Sequence, residues 1–236
     1  MIEVRNLSFS YRHQRVLRDV SFVVSPGEVV SVVGANGAGK TTLLRILATL
    51  AAPDGGFVMM DGGDALLRPI KYRRQIGYLP EKVALYDDLT VKEYLNYRAA
   101  LKGEPSKRVR RRVSEASEMC QLSDLMRTPI SRLSAGLRKR VALADALILR
   151  PRVLLLDDFL AGLDKSMRTA AGAVLSNAAA FSSVIVTGHE IEDFAHWTTR
   201  FLVLRNGVVA ASIETAGQDW PLLRERIDRV LEGGEE

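Results

Sequence analysis

Eight consecutive residues constrain this chain more than any others: Gly34-Ala35-Asn36-Gly37-Ala38-Gly39-Lys40-Thr41. They fit the pattern G-x-x-x-x-G-K-[ST], a phosphate-cradling loop that needs a buried strand before it and a helix after it. Both are predicted. Val29 to Val33 is a compact apolar run, as a buried strand would be. Leu43, Leu44, Ile46, Leu47 and Leu50 recur at roughly helical spacing, and the helix should end before Pro53-Asp54-Gly55-Gly56. The residue types follow from the task. Glycine lets backbone N–H groups turn toward an anion with no Cβ in the way. The helix then aims its positive end at that anion. Lys40 supplies a point charge for β- and γ-phosphates, the Thr41 hydroxyl can hold Mg²⁺, and the phosphate cradle runs on to Thr42.

A magnesium site also needs a carboxylate. Val153-Leu154-Leu155-Leu156-Asp157-Asp158 provides one in the Walker B manner. Four apolar residues bury a strand, and two carboxylates emerge at its carboxyl end, where α/β sheets bind ligands. Asp157 would reach the metal directly or through water, and Asp158 would orient and polarise an attacking water.

The rest of the chain reads as an α/β fold around these two motifs. Short strands fill the first 33 residues, punctuated at Pro26-Gly27, and strand-like pieces return over 57–80, including Phe57 to Met60 and Ile76 to Leu79. Thr90-Val91-Lys92-Glu93 is a capping box that opens a helix fading near Gly103, and 104–150 looks mostly helical. A helix from Lys165 to about Ala180, a strand Val184 to Thr187 and a hairpin at Asn206-Gly207 follow. A short helix over 221–231 and a frayed tail from Gly233 close the chain.

Composition sets limits. Apolar residues at 47% and charged residues at 26% exclude collagen-like, low-complexity and wholly disordered chains. The net charge of +5 suits phosphate-bearing partners without demanding nucleic acid. The one basic run, Lys107 to Arg112, reads as a solvated helix face or as a patch for nucleic acid or acidic lipid, with no aromatic interleaving for base stacking. Cys120 has no internal disulfide partner, which fits a reducing compartment. Met1 to Arg5 lacks a signal-peptide layout, and no apolar run approaches the roughly 18 residues of a spanning helix. A cytoplasmic protein, held to the inner face of the cell membrane only through a partner, is expected.

Between the two motifs lies Leu133-Ser134-Ala135-Gly136-Leu137-Arg138-Lys139-Arg140, and here the sequence resembles the ATP-binding cassette (ABC) ATPases. The segment looks like that family's signature, LSGGQ followed by basic residues. The resemblance runs from Tyr11 to about Gly207 and implies a P-loop NTPase core with an N-terminal antiparallel β subdomain and an inserted helical subdomain near 82–150. It implies a single ATPase domain over 1–214, with 215–236 as a short helix and tail. It assigns ATP and Mg²⁺ as cofactors. By the same resemblance Tyr11 stacks on adenine, Ala161-Gly162-Leu163-Asp164 is the loop that touches an opposite subunit, and His189 senses the γ-phosphate. Ser134 and Gly136 act on the ATP of that opposite subunit.

Three departures stand out. Glu81, in Gly77-Tyr78-Leu79-Pro80-Glu81, occupies the place of a catalytic-site glutamine and can still bind Mg²⁺, with added charge. Asp158 replaces the catalytic glutamate and is one methylene shorter, a misplacement of about 1 Å that can cost on the order of 10²-fold in rate. Phe159-Leu160 and Leu137 also differ from the family pattern.

The resemblance implies a second ABC ATPase subunit, identical or not, and a separate transmembrane permease, received around Leu89 to Tyr97. No direct cargo contact is expected. The Gly77 to Glu81 string resembles the branch with separate exporter-type (ABC-2) permeases, so export is the expected direction. One alternative is a slow, nucleotide-gated partner of a heterodimer. Another is a non-transport ABC ATPase acting on nucleic acid or ribosomes, disfavoured by a single cassette and no long coiled coil.

Overall fold

The computed structural model describes residues 1–234 apart from 190 and 195. The strands are β1 (Ile2–Tyr11), β2 (Gln14–Val24), β3 (Val29–Val33), β4 (Gly55–Met60), β5 (Gly63–Asp64), β6 (Ile76–Leu79), β7 (Val153–Leu156), β8 (Ser183–Gly188), β9 (Arg200–Arg205) and β10 (Val208–Glu214). The helices are α1 (Lys40–Leu47), α2 (Pro69–Arg73), α3 (Val91–Leu101), α4 (Ser106–Met119), α5 (Ala135–Leu147), α6 (Lys165–Ala179) and α7 (Trp220–Glu232).

Two sheets result. The first is antiparallel, in the order β2-β1-β4-β5. The second runs β10-β9-β3-β8-β7-β6, parallel throughout except where β10 returns along β9. Strands β3, β7 and β8 are buried at every residue, as expected for parallel strands covered on both faces. Successive side chains along them leave by opposite faces. Val30, Val32, Val153, Leu155 and Ile185 pack with α1 and the antiparallel sheet. Val29, Val33, Leu154, Leu156, Val184 and Val186 pack with α3 to α7 on the other side. The central sheet therefore divides two cores, and the carboxyl ends of β3, β7 and β8 open at one edge between them.

Two local differences from the sequence reading have physical causes. Helix α1 stops at Leu47, and Leu50 lies beyond it, about half exposed. Thr49 ends the helix by taking a left-handed conformation (φ 59), uncommon for a β-branched residue. The Arg73 guanidinium fixes it, Nε donating to Thr49 Oγ1 at 3.0 Å and Nη2 to the Thr49 carbonyl at 2.9 Å. That arginine belongs to α2, which lies in the stretch read as strand-like. Pro69 at the first turn starts this helix, and its five residues are too few to display a period. At the chain's end α7 finishes on Gly233 at φ 114, and the last two residues of the expected tail lie outside the described residues.

Candidate active site

The loop between β3 and α1 folds back on its own lysine. Lys40 is buried, and its Nζ donates to the carbonyls of Gly34 at 2.6 Å and Ala35 at 3.0 Å. Burial draws Lys40 below the usual lysine range, while the carboxylates of Asp158 and Asp157 pull it back up. Gly39 precedes the helix at φ 107, a conformation that L side chains rarely adopt, and no side chain caps α1. The first N–H groups of α1 are thus left for an anion. Gly34 is required for a second reason: a Cβ there would sit 2.2 Å from the Leu204 carbonyl oxygen of β9.

From the end of β7, two strands along the sheet from β3, Asp157 meets this loop. Its Oδ1 accepts from Thr41 Oγ1 at 3.1 Å and from Thr187 Oγ1 at 2.9 Å. Burial raises the Asp157 carboxyl above the usual aspartate range; the two hydroxyls oppose that, and the charges of Glu81 and Asp158 add to it. Thr187 Oγ1 also accepts the Asp158 N–H at 2.9 Å, so one hydroxyl holds both aspartates in register. Asp158 has φ 46, a left-handed position that a short polar side chain tolerates better than most.

These groups share a cleft of about 380 Å³ lined by Tyr11, Asn36 to Thr42, Glu81, Asp157, Asp158 and His189. Tyr11 is 46% exposed at its rim, its ring edge-on to Phe9 with centroids 4.7 Å apart. Asp157 and Thr41 together offer a carboxylate and a hydroxyl oxygen, hard donors of the kind Mg²⁺ takes. Gln14, Val16 and Thr187 line the cleft too, and sequence reading passed over them. For Thr187 a signal existed: it is the last polar residue of an apolar strand, two before His189.

Ser134 and Gly136 are not part of this cleft. Ser134 caps α5, its Oγ accepting from the Leu137 N–H at 3.3 Å, and is exposed. Gly136 is buried against Met167, where a Cβ would lie 2.2 Å from the sulfur. Asp164 caps α6, accepting from the Met167 N–H at 2.9 Å and the Ser166 hydroxyl at 2.8 Å, and these bonds hold its carboxyl below the usual range. Ser134, Ala161, Gly162 and Asp164 are exposed outside the cleft, while Leu133, Gly136 and Leu163 are buried.

Comparisons with known proteins bear on the family and the fold. The sequence model of the family described as ABC transporter matches residues 17–161. The uncharacterized ABC transporter ATP-binding protein YxlF of Bacillus subtilis is 31% identical over 210 residues, covering 89% of this chain and 70% of that protein. The spermidine/putrescine import ATP-binding protein PotA of Haemophilus influenzae is 32% identical over 213 residues, 89% of this chain but 57% of that protein. A solved dimeric ATP-binding cassette in a post-hydrolysis state, bound to ADP and Pi, superposes with a TM-score of 0.81. It is 26% identical and covers 92% of this chain and 100% of its own.

Proposed function

Because the chain belongs to the ABC transporter family and is an ABC ATPase, we propose that it binds MgATP in this cleft and hydrolyses it to drive a transporter's motion. One observation carries the reading. Thr41 and Asp157, 116 residues apart in sequence, are hydrogen-bonded to each other at the mouth of the phosphate loop. Asp158, Glu81 and His189 line the same cleft.

Each residue has a role in that reading. Tyr11 offers a ring to adenine. The N–H groups from Asn36 to Thr42 cradle the phosphates, and Lys40 leaves its loop carbonyls to clamp them. Thr41 and Asp157 would hold Mg²⁺, with Glu81 nearby. Bound there, the metal supplies charge neutralisation on the phosphate oxygens. Asp158 accepts a hydrogen bond from the attacking water and orients it, and His189 holds the γ-phosphate and that water. Positioning and charge stabilisation, rather than covalent chemistry, carry phosphoryl transfer of this kind.

Ser134 and Gly136 lie away from this cleft, so they suit an ATP held by a second subunit, as does the dimeric assembly of the solved cassette. We place the ATPase unit at 1–214, with the helical subdomain near 82–150 receiving a separate permease and 215–236 as an appended helix. Among the described residues no helix is long and apolar enough to cross a membrane; a separate permease and a peripheral position at the inner face belong to the proposal. Export, expected from the Gly77 to Glu81 string, gains no support from PotA, a protein named for import, and forms no part of the proposal.

Asp158 favours a second reading, in which this chain is the slow member of a heterodimer. Steady-state MgATP hydrolysis by the wild type, Lys40→Ala and Asp158→Glu separates the two. Turnover abolished by Lys40→Ala supports a competent motor. Firm ATP binding without turnover, rescued by Asp158→Glu, supports the slow partner. Normal ATP affinity in Lys40→Ala overturns the phosphate assignment.

A further inference from the structure

Lys139 lies five residues beyond the cap of α5, outside the nucleotide cleft, yet it reaches the segment that follows Asp158. Its Nζ donates to the Phe159 carbonyl at 3.0 Å and to the Ala161 carbonyl. That segment is a tight turn. Asp158 sits in the left-handed region, its N–H bound to Thr187 and its carbonyl accepting from the Ala161 N–H at 3.3 Å. A non-glycine residue in such a conformation persists only where its surroundings hold it. Thr187 holds the turn from the sheet, and Lys139 holds it from the helix.

Charge adds a second function. Burial draws Lys139 below the usual lysine range, while the carboxylates of Asp158 and Glu81 pull it back up. Glu81 and Asp158 line one cleft with Asp157, which concentrates like charge beside the phosphates. An ammonium tied to the Phe159 and Ala161 carbonyls, and within electrostatic reach of Asp158 and Glu81, offsets that repulsion without lining the cleft.

We propose that Lys139 is a positioning residue for the reaction: it ties helix α5 to the turn carrying Asp158 and compensates the carboxylates of Asp158 and Glu81. The inference rests on Asp158 orienting the attacking water. It implies that α5, whose N-terminus presents Ser134 little more than a turn before Lys139, is mechanically joined to the turn that places Asp158.

The test is steady-state MgATP kinetics of the full chain carrying Lys139→Met, Lys139→Gln and Lys139→Arg, with melting temperatures alongside. Lys139→Met should lower kcat by at least ~10-fold while the KM for ATP stays within about twofold, the signature of an interaction that matters after binding. Lys139→Arg, which keeps charge and donors, should retain most activity. Lys139→Gln keeps a donor and loses the charge, so its loss should shrink at least ~3-fold in a Glu81→Gln background, because only charge compensation couples the two sites. Unchanged kcat in Lys139→Met overturns the proposal. So does an equal loss for Lys139→Gln in both backgrounds, since a tether alone does not sense the charge at 81. If Lys139→Met does not fold, Lys139→Gln and Lys139→Arg decide. A wild type that binds ATP without turnover instead removes the hydrolytic reading, and this inference with it.

Discussion

Asp157 is buried as deeply as the leucines that precede it, and two hydroxyls only partly compensate its charge. Its native carboxyl therefore titrates above its unfolded value. Between those values the native state binds the proton more tightly, so this contribution favours folding at low pH and is lost as pH rises through the window. Asp157→Asn removes the charge and keeps an acceptor for both threonines. The ligand-free variant should melt higher than wild type at neutral pH, and the two should converge in acid. The same variant should lose the stabilisation that MgATP gives wild type, measured by the melting shift on adding nucleotide and metal. A variant that melts lower at neutral pH would show that the charge, once buried, is fully compensated.

At the scale of elements, α3 begins with the reciprocal pair foreseen in the sequence. Thr90 Oγ1 accepts from the Glu93 N–H at 3.3 Å, and the Glu93 carboxylate accepts from the Thr90 N–H at 2.8 Å and its hydroxyl at 2.7 Å. The backbone and hydroxyl bonds from Thr90 hold the Glu93 carboxyl below the usual glutamate range. Its contribution is thus present above the unfolded value and lost as pH falls through the native one. Glu93→Gln should be less stable than wild type at neutral pH, with the gap closing in acid; a constant gap would point to packing instead. The end of α1 offers another case. Removing the Arg73 guanidinium from Thr49 should cost about 1 kcal/mol in urea unfolding. Thr49→Gly should recover part of that, because glycine takes positive φ freely.

These two helix ends show what a sequence displays and what it hides. The capping box, the apolar run of β7 and the loop from Gly34 to Thr41 are local patterns set by residues within a turn or two of each other. Arg73 at Thr49, Thr187 between the aspartates and Lys139 on the turn after Asp158 are contacts across 24, 30 or 20 residues, made only when the chain has folded. No spacing rule announces which partner each one finds, even where, as at Thr187, a polar residue ending an apolar strand stands out. Helix α2 was hidden for a different reason, since five residues cannot reveal a period.

For the whole molecule, the decisive expectation concerns assembly. Ser134 and Gly136 lie off their own chain's cleft, so ATP should bring two chains together. His189→Ala protein, which the proposed role of His189 would make slow in hydrolysis, should sediment as a dimer at saturating MgATP and as a monomer without nucleotide. A persistent monomer would mean that the second subunit is a different ABC ATPase.

The strand order carries a consequence for how the chain is made. Strand β3, which delivers the phosphate loop, is flanked by β8 on one side and β9 on the other, both from the last quarter of the sequence. During synthesis the loop and its helix leave the ribosome early, but one hydrogen-bonding edge of β3 stays open until about residue 188 has emerged and the other until about residue 205. Pairings of such long range are slow to form, and open strand edges invite association with other chains. A nascent chain halted before β8 should therefore carry the full phosphate-binding sequence and still fail to retain ATP. Nucleotide capture should appear abruptly, near the end of translation, rather than when the loop is first exposed.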